Sequence, residues 1–299
     1  MNKFLSESQK IEFANIIKDK LFLEKKNNVT AFLCGGDVNN DKFGRYKIAR
    51  VLSQVKGLEL LYPEDLFDDL LAGQGQHSLL SMENILAEAV DVIIIIPESP
   101  GSFSELGAFA NNDKLSQKMI CVQDNKYKLK KSFLNYGPLR LLKKISPTSV
   151  IRCDFKVLDN YSLNKEFYDK LIRSIGSIRK KNPVTKTINN ILYADRFILP
   201  CIYLMDGINN ILLYDLLTTA TGHSKSLCEI TVKSVLSRLM KERVITRTTA
   251  GYHVTDIGMK YVMTRFDRKA LDELRLEMMN FENRGKASLN YANLSLAHP

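Results

Sequence analysis

Apolar residues along the chain change period about two-thirds of the way through. In the first part they come as short, mostly apolar runs: Val29 to Cys34, Leu58 to Tyr62, Asp91 to Ile96, Met119 to Gln123 and Ser149 to Phe155. Each is bounded by glycine, proline or polar residues, which predicts β-strands. The run ending at Ile96 has no polar alternation, the mark of a strand covered on both faces. Between the runs, apolar residues recur at helical spacing. Helices are predicted over Gly44 to Gln54, Leu66 to Leu71, Ser78 to Val90, Ser102 to Asn111 and Lys165 to Arg179, with a further helix opening the chain. Alternating strands and helices predict an α/β fold: a doubly wound, Rossmann-like or flavodoxin-like parallel sheet.

Arg179-Lys180-Lys181-Asn182-Pro183 ends this pattern with a charge run and a helix-stopping proline, so the domains are set at 1–181 and 182–299. The second part is mostly helical. Ile230 to Met240 carries Val232, Val235, Leu236 and Leu239 on one side, and a β-hairpin follows through Val244 to Thr249, Ala250-Gly251 and Tyr252 to Val254. With a helix starting at Thr255, the order is that of a winged helix-turn-helix. Lys225, Lys233, Arg238, Lys241, Arg243 and Arg247 are its candidate nucleic-acid contacts; phosphate contact is the reading such residues support, without assignment to bases. A protein–protein module has the same pattern. The stretch Leu271 to Met279 reads as packing, and the polar tail from Gly285 as a segment ordered only on a partner.

Charge sharpens this picture. The net charge is +10, of which residues 1–150 hold roughly +2 and residues 151–299 roughly +8. A lopsided basic half suits a polyanion. Five cysteines are scattered among apolar neighbours with no CxxC or HExxH spacing, so no metal is expected and reduced core thiols in a cytoplasmic protein are. No run is long enough to span a bilayer and no signal peptide is visible.

Chemistry gathers where strands end. A doubly wound sheet binds ligands beyond the carboxyl ends of its strands. Gly35, Gly36 and Asp37 follow the first strand, Glu64 and Asp65 the second, and Pro100, Gly101 and Ser102 lie in the turn after the third. Backbone N–H groups of the glycines suit a phosphate or sugar edge, and the acids suit ribose hydroxyls or a base. His77, beside Gly73 to Gln76, reads as a lid residue or a surface histidine. Glu105 is the candidate nucleophile. With Ser102 as N-cap it falls at the third helical position, where the dipole favours its carboxylate. The same Ser102-Phe103-Ser104-Glu105 also matches a capping box, in which the glutamate only satisfies a backbone amide.

Phe32 to Gly36, Asp91 to Ile96 and Pro100 to Ala110 together resemble the nucleoside deoxyribosyltransferases, whose nucleophilic glutamate maps onto Glu105. Tyr62 to His77, the domain order, Phe281 to Arg284 and the closing Ala297-His298-Pro299 resemble the toxic effectors of bacterial retrons, which join a deoxyribosyltransferase-like domain to a winged helix. The first loop reads Cys34-Gly35-Gly36-Asp37 where deoxyribosyltransferases have an aromatic residue and Gly-Pro, so their base and acceptor specificity is not carried over. Pro100-Gly101-Ser102 with Glu105 also resembles a stretch of the nucleotide-monophosphate phosphoribohydrolases, which break the same kind of bond.

The resemblance implies cleavage of an N-glycosidic bond in a nucleoside, nucleotide or NAD, which is substrate and not cofactor. It also implies restraint of a toxic activity in a complex with the retron's RNA-linked DNA (msDNA) and reverse transcriptase until phage infection, and a self-associated active form. No dedicated acid is evident in the crevice, which favours NAD because nicotinamide departs as a neutral molecule. The alternative is a nucleotide-sensing winged-helix regulator that binds its ligand without cleaving it.

Overall fold

The computed structural model describes residues 5–21, 28–64, 85–158 and 160–280. Asp65, His77, the helix expected at Leu66 to Leu71, the Gly73 to Gln76 loop, the N-terminal part of the Ser78 to Val90 helix and the tail beyond residue 280 lie outside them. The chain divides into two compact units. One is 26–67 with 76–185; the other joins 1–25 and 68–75 to 186–299.

The first unit holds strands β1 (Val29–Cys34), β2 (Leu58–Leu61), β3 (Val92–Ile95), β4 (Met119–Asp124) and β5 (Val150–Cys153). They form one parallel sheet in the order β2-β1-β3-β4-β5, the flavodoxin-like arrangement of the doubly wound class. Strand side chains alternate between faces. Ala31, Leu33, Ile94 and Val122 point to one core with Ile48 and Leu52 of helix α2 (Gly44–Leu52) and Tyr168 and Leu171 of the long α-helix Lys165–Lys181. Helices α3 (Pro100–Ala110) and α4 (Pro138–Ile145) pack against each other, and α4 also packs on β5; the long helix is α5. All four residues of β3 are buried, as its unbroken apolar run requires.

Within the second unit, helices α6 (Asp195–Leu204), α7 (Asn210–Thr221) and α8 (Lys225–Lys241) lead into a hairpin of β6 (Ile245–Thr248) and β7 (Gly251–Val254), then α9 (Asp256–Arg265). The chain entering α7 adds an antiparallel bridge between Ile208 and Tyr252. Leu271, Leu274 and Met278 are buried in this core, as their spacing suggested. The opening helix (Glu7–Ile16) belongs here too: Phe13, Ala14 and Ile17 join the same core, and Lys10 pairs with Asp215 at 3.3 Å. It therefore packs with the helical unit and not with the rest of residues 1–181.

Candidate active site and candidate nucleic-acid interface

Strand order reverses between β1 and β3, so the loops leaving those two strands meet. They are laced together by Glu98 and Ser99. The Glu98 carboxylate accepts the backbone N–H groups of Gly36 (3.2 Å), Gly44 (2.7 Å) and Arg45 (2.8 Å). Ser99 Oγ donates to the Gly35 carbonyl at 3.0 Å. The amides read as a phosphate cradle are thus engaged in part by the protein's own carboxylate, at the start of α2 where the helix dipole favours an anion.

The loop's glycines have a packing reason. A Cβ on Gly35 would lie 2.8 Å from Arg45 Cβ, and one on Gly36 would lie 2.3 Å from the Phe43 ring. Arg45 is 4% exposed. It donates to the Gly36 carbonyl (2.9 Å) and to Glu64 (2.7 Å), and lies 5.2 Å from the centre of the Tyr62 ring. Glu64 is therefore an ion-pair partner at the crevice. Asp37 is exposed and accepts the Asn39 N–H at 2.9 Å, closing a local turn. Neither Arg45 nor Glu98 was singled out from sequence. A cation in the first turn of a helix, against its dipole, was the available signal at Arg45.

Helix α3 starts three residues earlier than expected. Its N-cap is Ser99, Pro100 is the first helical residue, and the capping box joins Ser99 to Ser102. The Ser102 hydroxyl accepts the N–H groups of Glu98 (3.0 Å) and Ser99 (2.9 Å) and donates to the Ser99 carbonyl (2.8 Å). Buried and saturated in this turn, Ser102 holds the loop and offers no hydroxyl to a ligand. Glu105 consequently sits at the sixth helical position, beyond the turn that the capping box closes, which removes the capping-box reading of Ser102 to Glu105. Its side chain is half-buried, with Oε2 shut off from solvent. Gly101 and Ala108 lie one turn before and after it, and Glu105 borders the face that buries Ser102, Leu106 and Phe109. A Cβ on Gly101 would meet nothing within 4 Å. Gly107 likewise has open space at its Cβ position.

In the helical unit, α8 is capped by Ser224 and buries Cys228, Val232, Val235, Leu236 and Leu239. Lys225, Lys241, Arg243 and Arg247 are exposed, and Arg247 lies 5.5 Å from the centre of the Tyr252 ring. Arg243 ends the helix with φ of 58°, left-handed backbone. Its N–H reaches the Met240 carbonyl and that of Val244 the Leu239 carbonyl, a Schellman ending. Lys233 is half-buried. Arg238 pairs with Asp195 at 3.5 Å, so a share of its charge is balanced internally.

A family model described as the STM3845 retron effector protein matches residues 41–247. The chain is also 52% identical, over all of its length and all of the relative's, to the Escherichia coli protein named "Retron Ec86 putative ribosyltransferase/DNA-binding protein". The chain is a retron effector. A second Escherichia coli relative, the Retron Ec73 protein of the same description, is 28% identical over 74% of this chain and 76% of its own.

In this retron effector the matched span includes the Glu98 and Arg45 lacing, Glu105, α8 and most of β6. Arg45 and Glu98 are both engaged in holding the β1 loop, and Glu105 is the carboxylate carried by α3 itself. Among the described residues no helix is long and apolar enough to cross a membrane.

Proposed function

We propose that this retron effector cleaves the N-glycosidic bond of a nucleoside, a nucleotide or NAD, with Glu105 as nucleophile. The observation that carries the reading is the position of Glu105, one turn beyond the capping box, with open space at the Cβ position of Gly101 one turn before it. The relatives' names, which include ribosyltransferase, support the same reaction class. A Glu105 oxygen attacks the anomeric carbon, the C1′–N bond breaks, and its electron pair leaves with the base. From NAD the departing pyridinium becomes neutral nicotinamide, and no proton has to be supplied. Water or another acceptor hydroxyl then attacks the anomeric carbon and releases Glu105. Arg45 and Glu98 position the β1 loop from behind.

The helical unit is read as a winged helix that holds the retron's msDNA. Its order is α6, the Ile208 bridge, α7, α8 and the β6–β7 hairpin, with Lys225, Lys241, Arg243 and Arg247 toward phosphates. In that role the effector is held inactive with msDNA and the reverse transcriptase, and is released as a self-associated toxin on phage infection. The test is expression of wild type and Glu105→Gln in cells under activating conditions, following growth and nucleotide pools by mass spectrometry. Growth arrest with loss of NAD or a nucleoside and release of free base, absent in the variant, is expected. Equal arrest by both proteins, or intact pools with both, would favour a nucleotide-sensing regulator.

A further inference from the structure

The chain between β4 and β5 has no part in the glycosidic chemistry. From Asn125 to Ser149 it carries seven Lys or Arg and no Asp or Glu, whereas the rest of residues 1–150 holds more acidic than basic side chains. It also displays large apolar side chains: Leu129 is 90% exposed, Phe133 86% and Tyr136 60%. Aromatic rings bury most of their surface in folded proteins unless a partner covers them. The ammonium groups of Lys126 and Lys130 lie 4.9 Å and 5.1 Å from the centre of the Tyr127 ring.

This surface is held in place from beneath. Asn135 Nδ2 donates to the carbonyls of Tyr127 (3.0 Å) and Lys130 (2.7 Å), and its Oδ1 accepts from Gln123 Nε2 (3.0 Å). Gln123 is buried in β4, and its Oε1 accepts from Arg152 Nε of β5 at 2.9 Å. The loop is thus tied to the sheet, and a ligand would not have to order it. Asp124 neutralises Lys126 at 3.0 Å. Lys143, by contrast, faces Arg152 and Lys128; burial first and then those cations lower its pKa. A group of cations that repel one another gains when an anion settles among them.

We propose that this excursion binds single-stranded polynucleotide, with phosphates on Lys128, Lys131 and Lys143 and bases stacked on Phe133 and Tyr136. Cations alone accept any polyanion; exposed rings add selectivity for bases whose faces are open. A duplex keeps its base faces covered, and an acidic protein offers nothing to stack. The excursion belongs to a different unit from α8 and its hairpin, and the inference does not depend on Glu105.

The full-length protein is irradiated with an oligo(dT) of ~20 nucleotides carrying 5-iododeoxyuridine, and crosslinked peptides are identified by mass spectrometry. Crosslinks at Tyr127, Phe133 or Tyr136 are expected. In anisotropy titrations, Phe133→Ala and Tyr136→Ala should each weaken the single strand about 5- to 150-fold and leave a blunt hairpin duplex unchanged. Lys128→Ala and Lys131→Ala should each flatten the salt dependence, by about 0.7 in log–log slope. Crosslinks confined to residues 186–299 would overturn the proposal. So would unchanged single-strand affinity in both ring variants, including the case where they lose self-association in sedimentation, which would assign the surface to a second copy.

Discussion

Ser99 and Ser102 cap each other: the Ser102 N–H donates to Ser99 Oγ at 3.2 Å, and Ser102 Oγ accepts the Ser99 N–H at 2.9 Å. That exchange sets the first turn of α3 and leaves Glu105 outside it. Ser99→Ala should cost about 1–2 kcal/mol, since it loses both the cap and the bond to the Gly35 carbonyl. Glu105→Gln should leave stability within about 0.5 kcal/mol. Urea unfolding of the two variants checks the pair; a Glu105→Gln loss equal to that of Ser99→Ala would return the glutamate to a capping role.

Gly36 in the β1 loop and Gly101 in the first turn of α3 should respond oppositely to a methyl group. Gly36→Ala drives a Cβ to 2.3 Å from the Phe43 ring and is expected to destabilise by about 1–3 kcal/mol. Gly101→Ala meets nothing and should hold or raise the melting temperature, by up to about 1 kcal/mol in stability. On the Glu105 face, however, the added methyl narrows the approach, so activity should fall mainly through KM. Thermal melts and steady-state kinetics on the released base separate the two effects.

Arg243 occupies a left-handed position that glycine favours. Arg243→Gly should therefore stabilise the helical unit by about 0.5–1 kcal/mol while reducing the log–log salt slope of duplex binding by about 0.9. An unchanged slope in anisotropy titrations would remove Arg243 from the interface.

All five cysteines are buried, and desolvation pushes the Cys121 and Cys153 thiols up to about 12. The reactive thiolate is thus scarce near neutral pH. The native protein should resist Ellman's reagent at pH 8 and release five equivalents only in denaturant. Rapid reaction of the native protein would place a thiol at the surface.

Local pattern was enough for the sheet. The apolar run at Val92 to Ile95 and the spacing of Val232, Val235, Leu236 and Leu239 follow from which side chains must leave water, a property each segment carries alone. The start of α3 was harder. Ser99-x-x-Ser102 and Ser102-x-x-Glu105 have the same spacing, and only Pro100, favoured at the first helical position, hinted at the earlier register. What decided it was the Gly35 carbonyl, more than sixty residues away in sequence, to which Ser99 donates.

Strand and helix alternation, the basic hairpin unit, and Glu105 as a carboxylate near a strand end are legible residue by residue along the chain. Tertiary structure decided which groups that neighbourhood leaves available. The three amides held by Glu98, the burial of Arg45 against Tyr62 and the passage of the opening helix into the other unit's core all join segments remote in sequence. A buried charge or amide needs a partner. Which partner it finds depends on where the whole chain brings its loops, and no local period records that.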